Sequence, residues 1–438
     1  MASASIGSGI TNDGENRIMG MMVGSAVADA AGIYTTNLTK DQAAQAYPER
    51  RILASVKADE VTHHFPDPHR AKYEDGDWSE ATEMALCTLL YHTHGVAREN
   101  LARRLRQLSF DGNRAYDMAP IDLGQPIKSI VESPYYLNDP EVAAKNAWVY
   151  SNKGANDTNG SNAPLLRIHP FAAIATRRNL YQSLKGANVN CRDTHVDSKC
   201  NLSVMMATAL LRGLLRREVQ TEQQIDPLLQ RCKDHIDLMA FQKYPSLYTD
   251  NTKPTPIPFL RMNYGVGSRS ELSRLLSAET LEELQLDDKR QSGEVWRCLA
   301  AGIFCLRTAM VRLEDASGQQ REALRKTLFE QLITDLIFQG GDAQANATFA
   351  GALLGAYLGY DAIPEQWREG LSHKNFLMRK SKMLCLMTRA VEGGYNNEPD
   401  SKLYPARNEL ERREILTRTA NRRAARLDML RQRRRDAS

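Results

Sequence analysis

The sequence has no run approaching the roughly 18 consecutive apolar residues that a membrane-spanning helix requires, so no membrane role is expected. It has no C-x-x-C pair. Its cysteines, Cys87, Cys191, Cys200, Cys232, Cys298, Cys305 and Cys385, are odd in number. That argues against a disulfide frame or a zinc site and for buried thiols. Period-2 runs convincing as strands are scarce, and no internal repeat is evident. The opening MASASIGSGITNDGENR lacks the basic-then-apolar plan of a secretory signal, which leads us to expect an intracellular protein, cytoplasmic or nuclear.

What is present is the composition of an ordinary soluble domain: 42% hydrophobic and 25% charged residues over 438 positions, ample for one large core. The net charge of +4 is local. From Arg407 to Ser438 there are eleven Arg against five Asp plus Glu, a local +6 that leaves the remainder close to −2. Apolar residues recur at three-to-four spacing over 17–31, 80–90, 202–215, 294–306, 321–337 and 345–358, which predicts an all-α body. The expected plan is a disordered N-terminus over 1–16, a helical domain over 17–400 and an Arg-rich helix or tail over 401–438. Two long connections, 151–164 and 244–258, are expected to be functional or mobile loops. The tail has a thin apolar stripe (Leu410, Ile415, Leu416, Leu427, Leu430). It reads as a solvated or frayed helix, or as a basic arm for an acidic or nucleic-acid partner. No aromatic residue interleaves its arginines, so base stacking there is not supported.

Two stretches carry chemistry. In GDWSEATEMA (76–85), Asp77 and Glu80 have the spacing of a helix N-cap pair, in which an Asp accepts early N–H groups and a Glu three residues on reaches back. The same carboxylates would also suit catalysis. In GGDAQANATFAGALLGAYLG (340–359), two glycines allow a tight turn and place Asp342 at the mouth of a helix. Ala347, Gly351, Gly355 and Gly359 then recur every four residues, leaving one face bare for close approach by another helix, which explains glycines otherwise unfavourable there.

With these motifs in view the chain resembles the ADP-ribosylglycohydrolase family from about Arg17 to about Lys380. RIMGMMVGSAVADAAG (17–32) resembles the opening helix with Asp29, and PHRAKYEDGDWSEAT (68–82) the stretch ending G-x-W-T-D-D-T. SNAPLLR (161–167) is similar to S-N-G-x-M-R, CRDTHVDSKC (191–200) to T-H-x-D, and 340–367 to G-G-D-x-D-T-N with its trailing glycines. The five occur in family order. The resemblance implies a compact all-α fold and a cleft where two magnesium ions assist hydrolysis of the glycosidic bond joining ADP-ribose to a protein side chain.

Carried over by position, the family's metal-holding Thr-Asp-Asp falls on Ser79, Glu80 and Ala81, and its Asp-x-Asp-Thr on Asp342, Gln344 and Ala345. A further Glu used by some members falls on Thr36. Two divalent ions ~4 Å apart repel by about 17 kcal/mol at an effective dielectric near 20. Glu80 and Asp342 alone offset only part of that. The resemblance therefore implies no cofactor, or at most one weakly held magnesium ion on Ser79, Glu80, Gln344 and Asp342. The substrate-binding residues it implies are Asp77, Gly124, Asn162, Arg167, His195 and Asp342. His195 reads equally well as structural. His63, His64 and His69 read as surface histidines, and Trp78 and Trp367 as packing residues.

The leading functional expectation is a pseudoenzyme whose cleft binds ADP-ribose, an ADP-ribosylated protein or a nucleotide-like ligand. One alternative is an active glycosidase using Glu80 and Asp342 as acid and base, helped by Asp77 or Glu83, with one ion or none. Another is a structural or interaction protein acting through its basic tail.

Overall fold

The computed structural model describes residues 13–52, 61–93, 99–125, 127–151, 160–243, 269–394 and 402–436. Residues 1–12 of the expected disordered N-terminus, most of the 151–164 loop and the whole 244–258 loop lie outside them.

The architecture is all-α. Its principal helices are α1 (Gly14–Gly32), α2 (Glu80–Thr93), α3 (Leu180–Arg192), α4 (Ser198–Leu215), α5 (Val295–Glu314), α6 (Gly318–Ile337), α7 (Ala343–Leu358), α8 (Lys374–Thr388) and α9 (Glu409–Asp436). The only strand-like pairing among the described residues is an isolated bridge between Ser161 and Glu294. Each periodic segment read from sequence is a helix; the first starts at Gly14, inside the N-terminal stretch assigned to disorder.

The centre of the fold is the α1–α7 pair. Both helices are buried on nearly every face, so neither shows the one-sided stripe of a surface helix. The four-residue small-side-chain rhythm is matched by Gly20, Gly24 and Gly32 on α1, and the two helices run antiparallel with backbones touching. A Cβ on Gly355 would meet the backbone of Gly20 and Met21, and one on Gly24 would meet the Gly351 carbonyl. Helices α4, α5, α6 and α8 pack around this pair. A satellite cluster lies on the far side of α2, where Met84 and Cys87 meet Leu101, Leu105 and Leu108 of the helix Glu99–Asp111. All seven cysteines are buried free thiols. No helix among the described residues is long and apolar enough to cross a membrane.

The C-terminal helix α9 is laid against the body by charge rather than by apolar contact. Of its thin stripe only Ile415 and Leu430 are buried, while Leu410 and Leu416 are exposed. The principal anchor is Arg426, 5% exposed, which donates to Glu74 and to Asp75 Oδ1 (2.7 Å). Arg412 Nε reaches the buried Asp111 at 2.8 Å, and Arg407 and Arg418 reach Asp117 at 2.7 and 3.1 Å. Arg434 stacks over Phe65, 4.4 Å from the ring centroid.

Candidate functional site

Antiparallel pairing of α1 and α7 brings the C-terminal end of α1 beside the N-terminal end of α7, and α2 starts at the same point. Asp29 sits there with no exposure. It accepts from Ser79 N (3.1 Å), Ser79 Oγ (2.6 Å), Thr82 N (3.1 Å) and Thr82 Oγ1 (2.6 Å). A carboxylate at a helix N-terminus is favoured by the orphan N–H groups and the helix dipole. Burial nevertheless outweighs these hydrogen bonds and pushes the Asp29 carboxyl up to about 6.

The local cap read from sequence is therefore corrected. Asp77 does not cap α2: its Oδ2 accepts from Glu74 N (2.8 Å) and its Oδ1 from Ser372 Oγ (2.6 Å). Ser79 Oγ accepts from Ala81 N (3.1 Å), and Asp29, fifty positions upstream, takes the rest. Glu83 also turns inward. It accepts from Trp78 Nε1 (2.7 Å), Asn113 Nδ2 (2.8 Å) and the Tyr116 hydroxyl, a saturated buried carboxylate that holds the α2 face together.

Glu80 and Gln344 do meet. Gln344 Nε2 donates to Glu80 Oε1 at 3.1 Å, and the Gln344 backbone N–H donates to Thr36 Oγ1 at 2.8 Å. Burial, then the nearby Asp29 and Asp342 charges, raise the Glu80 carboxyl to about 8, with Lys72 opposing. Asp342 accepts from Asn162 Nδ2 at 2.8 Å; burial raises its carboxyl against that hydrogen bond. Ala81 and Ala345 are fully packed, at 0% and 3% exposure, where the family's ligands would project.

Asp77, Glu80, Gly124 and Gln344 line a cavity of about 1230 Å³, together with His69, Tyr73 and Trp78, and α9 forms its far wall. Gly124 has φ +68°, and a Cβ there would meet open space. Asp342 and Asn162 are not part of this lining; they hydrogen-bond to each other, and the Asp342 charge is felt by Glu80. Arg167 and His195 do not line the cavity. They form a buried chain behind it: Arg167 donates to Asn190 O (3.3 Å) and to Thr194, whose Oγ1 lies 2.8 Å from His195 Nδ1. Burial, followed by the Arg167 charge, holds the His195 imidazole well below its usual range.

Of the three histidines read as surface residues, His63 is exposed. His64 is buried edge-on to Tyr34 and pushed down to about 3, and His69 is half-buried in the cavity wall. Trp367 packs as expected, donating to Ile52 O at 2.9 Å.

A pair of magnesium ions does not fit these residues. Among the described residues no three His, Cys, Asp or Glu side chains converge as a metal site. Ser79 and Gln344 offer only neutral oxygens: the Ser79 hydroxyl, which donates to Asp29, and the Gln344 Oε1, which is buried without a hydrogen-bond partner. Sequence reading missed the parts played by Asp29, Glu83 and the α9 wall. Asp29 alone left a signal, as a lone acid inside an otherwise apolar, glycine-rich helix.

The sequence model of the ADP-ribosylglycohydrolase family matches residues 11–399, and the chain belongs to that family. No curated protein matches it. A solved structure titled "ADP-ribosylglycohydrolase-related protein complex" superposes with a TM-score of 0.53 at 19% identity, over 86% of this chain and all of that one. At that identity the likeness speaks for the fold. Helix α9 lies wholly beyond the family match.

Proposed function

We propose that this chain is a pseudoenzyme of its family, one that binds ADP-ribose or a related nucleotide-like ligand in the cleft without efficient metal-dependent hydrolysis. The observation that carries the reading is the donor set. Ala81 and Ala345 present no side-chain oxygen, Ser79 and Gln344 offer only neutral ones, and Glu80 and Asp342 are the acids left. Magnesium requires near-octahedral oxygen ligation, which two carboxylates and one amide do not supply for a pair of ions. The cavity survives this loss. Its volume exceeds the roughly 300–1,000 Å³ usual for small-molecule sites, and it carries apolar surface from Trp78 and Tyr73 with polar groups from Asp77 and Gln344.

The test has two arms on the full chain: titration calorimetry with ADP-ribose, and release of ADP-ribose from an ADP-ribosylated protein with magnesium present. Binding without turnover is expected. Robust turnover ends the reading, and absence of binding removes its ligand.

A second reading is favoured by the proximity of Glu80 and Asp342, with the Glu80 carboxyl raised toward neutrality. Such a pair suits an acid and a base acting with one ion or none. Glu80→Gln and Asp342→Asn would then each abolish any residual hydrolysis; activity surviving both rules it out.

A further inference from the structure

Seven cations line the cavity: two from the body, Lys72 and Lys128, and five from α9. Five of the seven are neutralised. Lys128 faces Asp122, and on α9 Arg412, Arg413, Arg418 and Arg422 face Asp111, Glu409, Asp117 and Glu74. Lys72 and Arg423 have no carboxylate partner among the described residues. They come from chain positions far apart, one on a single turn of 3-10 helix just ahead of the acidic site and the other on α9, yet α9 packs directly on that turn. Tyr73, next to Lys72 in the chain and in the cavity lining, senses the charge of both Arg423 and Glu80. Glu80 in turn senses Lys72. Two cations without a carboxylate partner therefore line one cavity together with Tyr73, Glu80 and Gln344.

The cavity measures about 1230 Å³ with α9 in place, so the helix bounds the site and does not fill it. Arg426 is fastened to Glu74 and Asp75, and Arg422 to Glu74. Arg423, solvent-exposed and part of the cavity lining, carries no such fastening.

From this we infer that α9 is a working wall of the ligand site, and that Lys72 and Arg423 form an anion subsite for the diphosphate of a nucleotide-type ligand. The inference rests on the ADP-ribose reading only for the remainder of the ligand. A diphosphate held by Lys72 and Arg423 leaves its attached sugar beside Glu80 and Gln344, which offer neutral or weakly charged hydrogen-bonding groups. Arg423 suits the part because its guanidinium presents parallel donors to phosphate oxygens, and Lys72 adds a point charge. The phosphate would replace the carboxylate partners that these two cations lack.

The experiment uses the full-length protein and two probes, inorganic pyrophosphate and ADP-ribose, measured by titration calorimetry at low salt. The variants are Arg423→Ala, Lys72→Ala and, as a control, Arg431→Ala on the part of α9 away from the cavity, where Arg431 pairs with Asp428. Arg423→Ala and Lys72→Ala are each expected to weaken both probes about tenfold or more, with Arg431→Ala leaving them within about twofold, and wild-type affinity is expected to fall as salt rises.

If pyrophosphate binds through Lys72 and Arg423 but ADP-ribose binds no more tightly, the subsite stands and the ADP-ribose reading falls. If ADP-ribose binds and neither variant weakens it, the subsite falls and the reading stands. Equal losses in all three variants would mark a diffuse effect of the basic tail and overturn the subsite, as would no binding of either probe.

Discussion

Arg426→Ala tests how α9 is held. The Arg426 side chain is 4% exposed and bridges two carboxylates that are about a third exposed, Glu74 at 34% and Asp75 at 31%. A hydrogen bond to a charged group is worth about 1.5–3 kcal/mol, and solvent at the carboxylate side reduces that. Losing both contacts while keeping the packing of Ile415 and Leu430 should weaken docking by roughly 2 kcal/mol, about a 30-fold rise in the opening constant of the helix. Hydrogen exchange resolved by segment is the assay. Residues 409–436 should lose protection about 30-fold, with α1 and α7 unchanged, because the α1–α7 core does not depend on α9. Raising salt should produce a smaller version of the same effect in the wild type, since most remaining anchors are exposed ion pairs. Unchanged protection of α9 in the variant would refute the argument, and so would parallel loss in α7.

Gly355→Ala gains about 1 kcal/mol of helix propensity but drives a methyl into the Gly20 backbone, which cannot step aside as a side chain would. A net loss of about 2 kcal/mol or more in urea unfolding is expected, and a neutral result would contradict the close α1–α7 contact. A pH profile of stability tests the site acids. The folded state keeps a proton on Glu80 up to about pH 8, whereas the unfolded chain releases it near 4.5. Between those values the native state binds more protons, so this contribution to stability is complete below the lower value and lost as pH rises through the upper one. Glu80→Gln should therefore flatten the fall of Tm from pH 5 to 8.5, and an unaltered slope would contradict the raised carboxyl.

The central helices were legible because their signal is local. The four-residue rhythm of Ala347, Gly351 and Gly355 demands a close neighbour, and the matching Gly20 and Gly24 supply one. The substituted positions Ala81, Gln344 and Ala345 could likewise be read directly from the motifs. The α2 cap was misread because Asp77-x-x-Glu80 satisfies the local rule while the actual acceptor, Asp29, arrives from α1. The tail was read as an exposed helix, which it is, but its docking was not legible, for a related reason. Its apolar stripe is too thin to predict docking, and Glu74, Asp75 and Asp111 lie about 300 or more positions from the arginines they hold. Long-range ion pairing leaves no periodic trace. The inward turn of Glu83 was equally invisible, since Asn113 and Tyr116 reach it from beyond the next helix.

Titration of magnesium into the full-length protein, with and without ADP-ribose, tests the donor-set argument most directly. A site built on Glu80, Asp342 and the Gln344 amide predicts at most one ion per chain, with a dissociation constant of about 1 mM or weaker. Two ions per chain at micromolar affinity would contradict it.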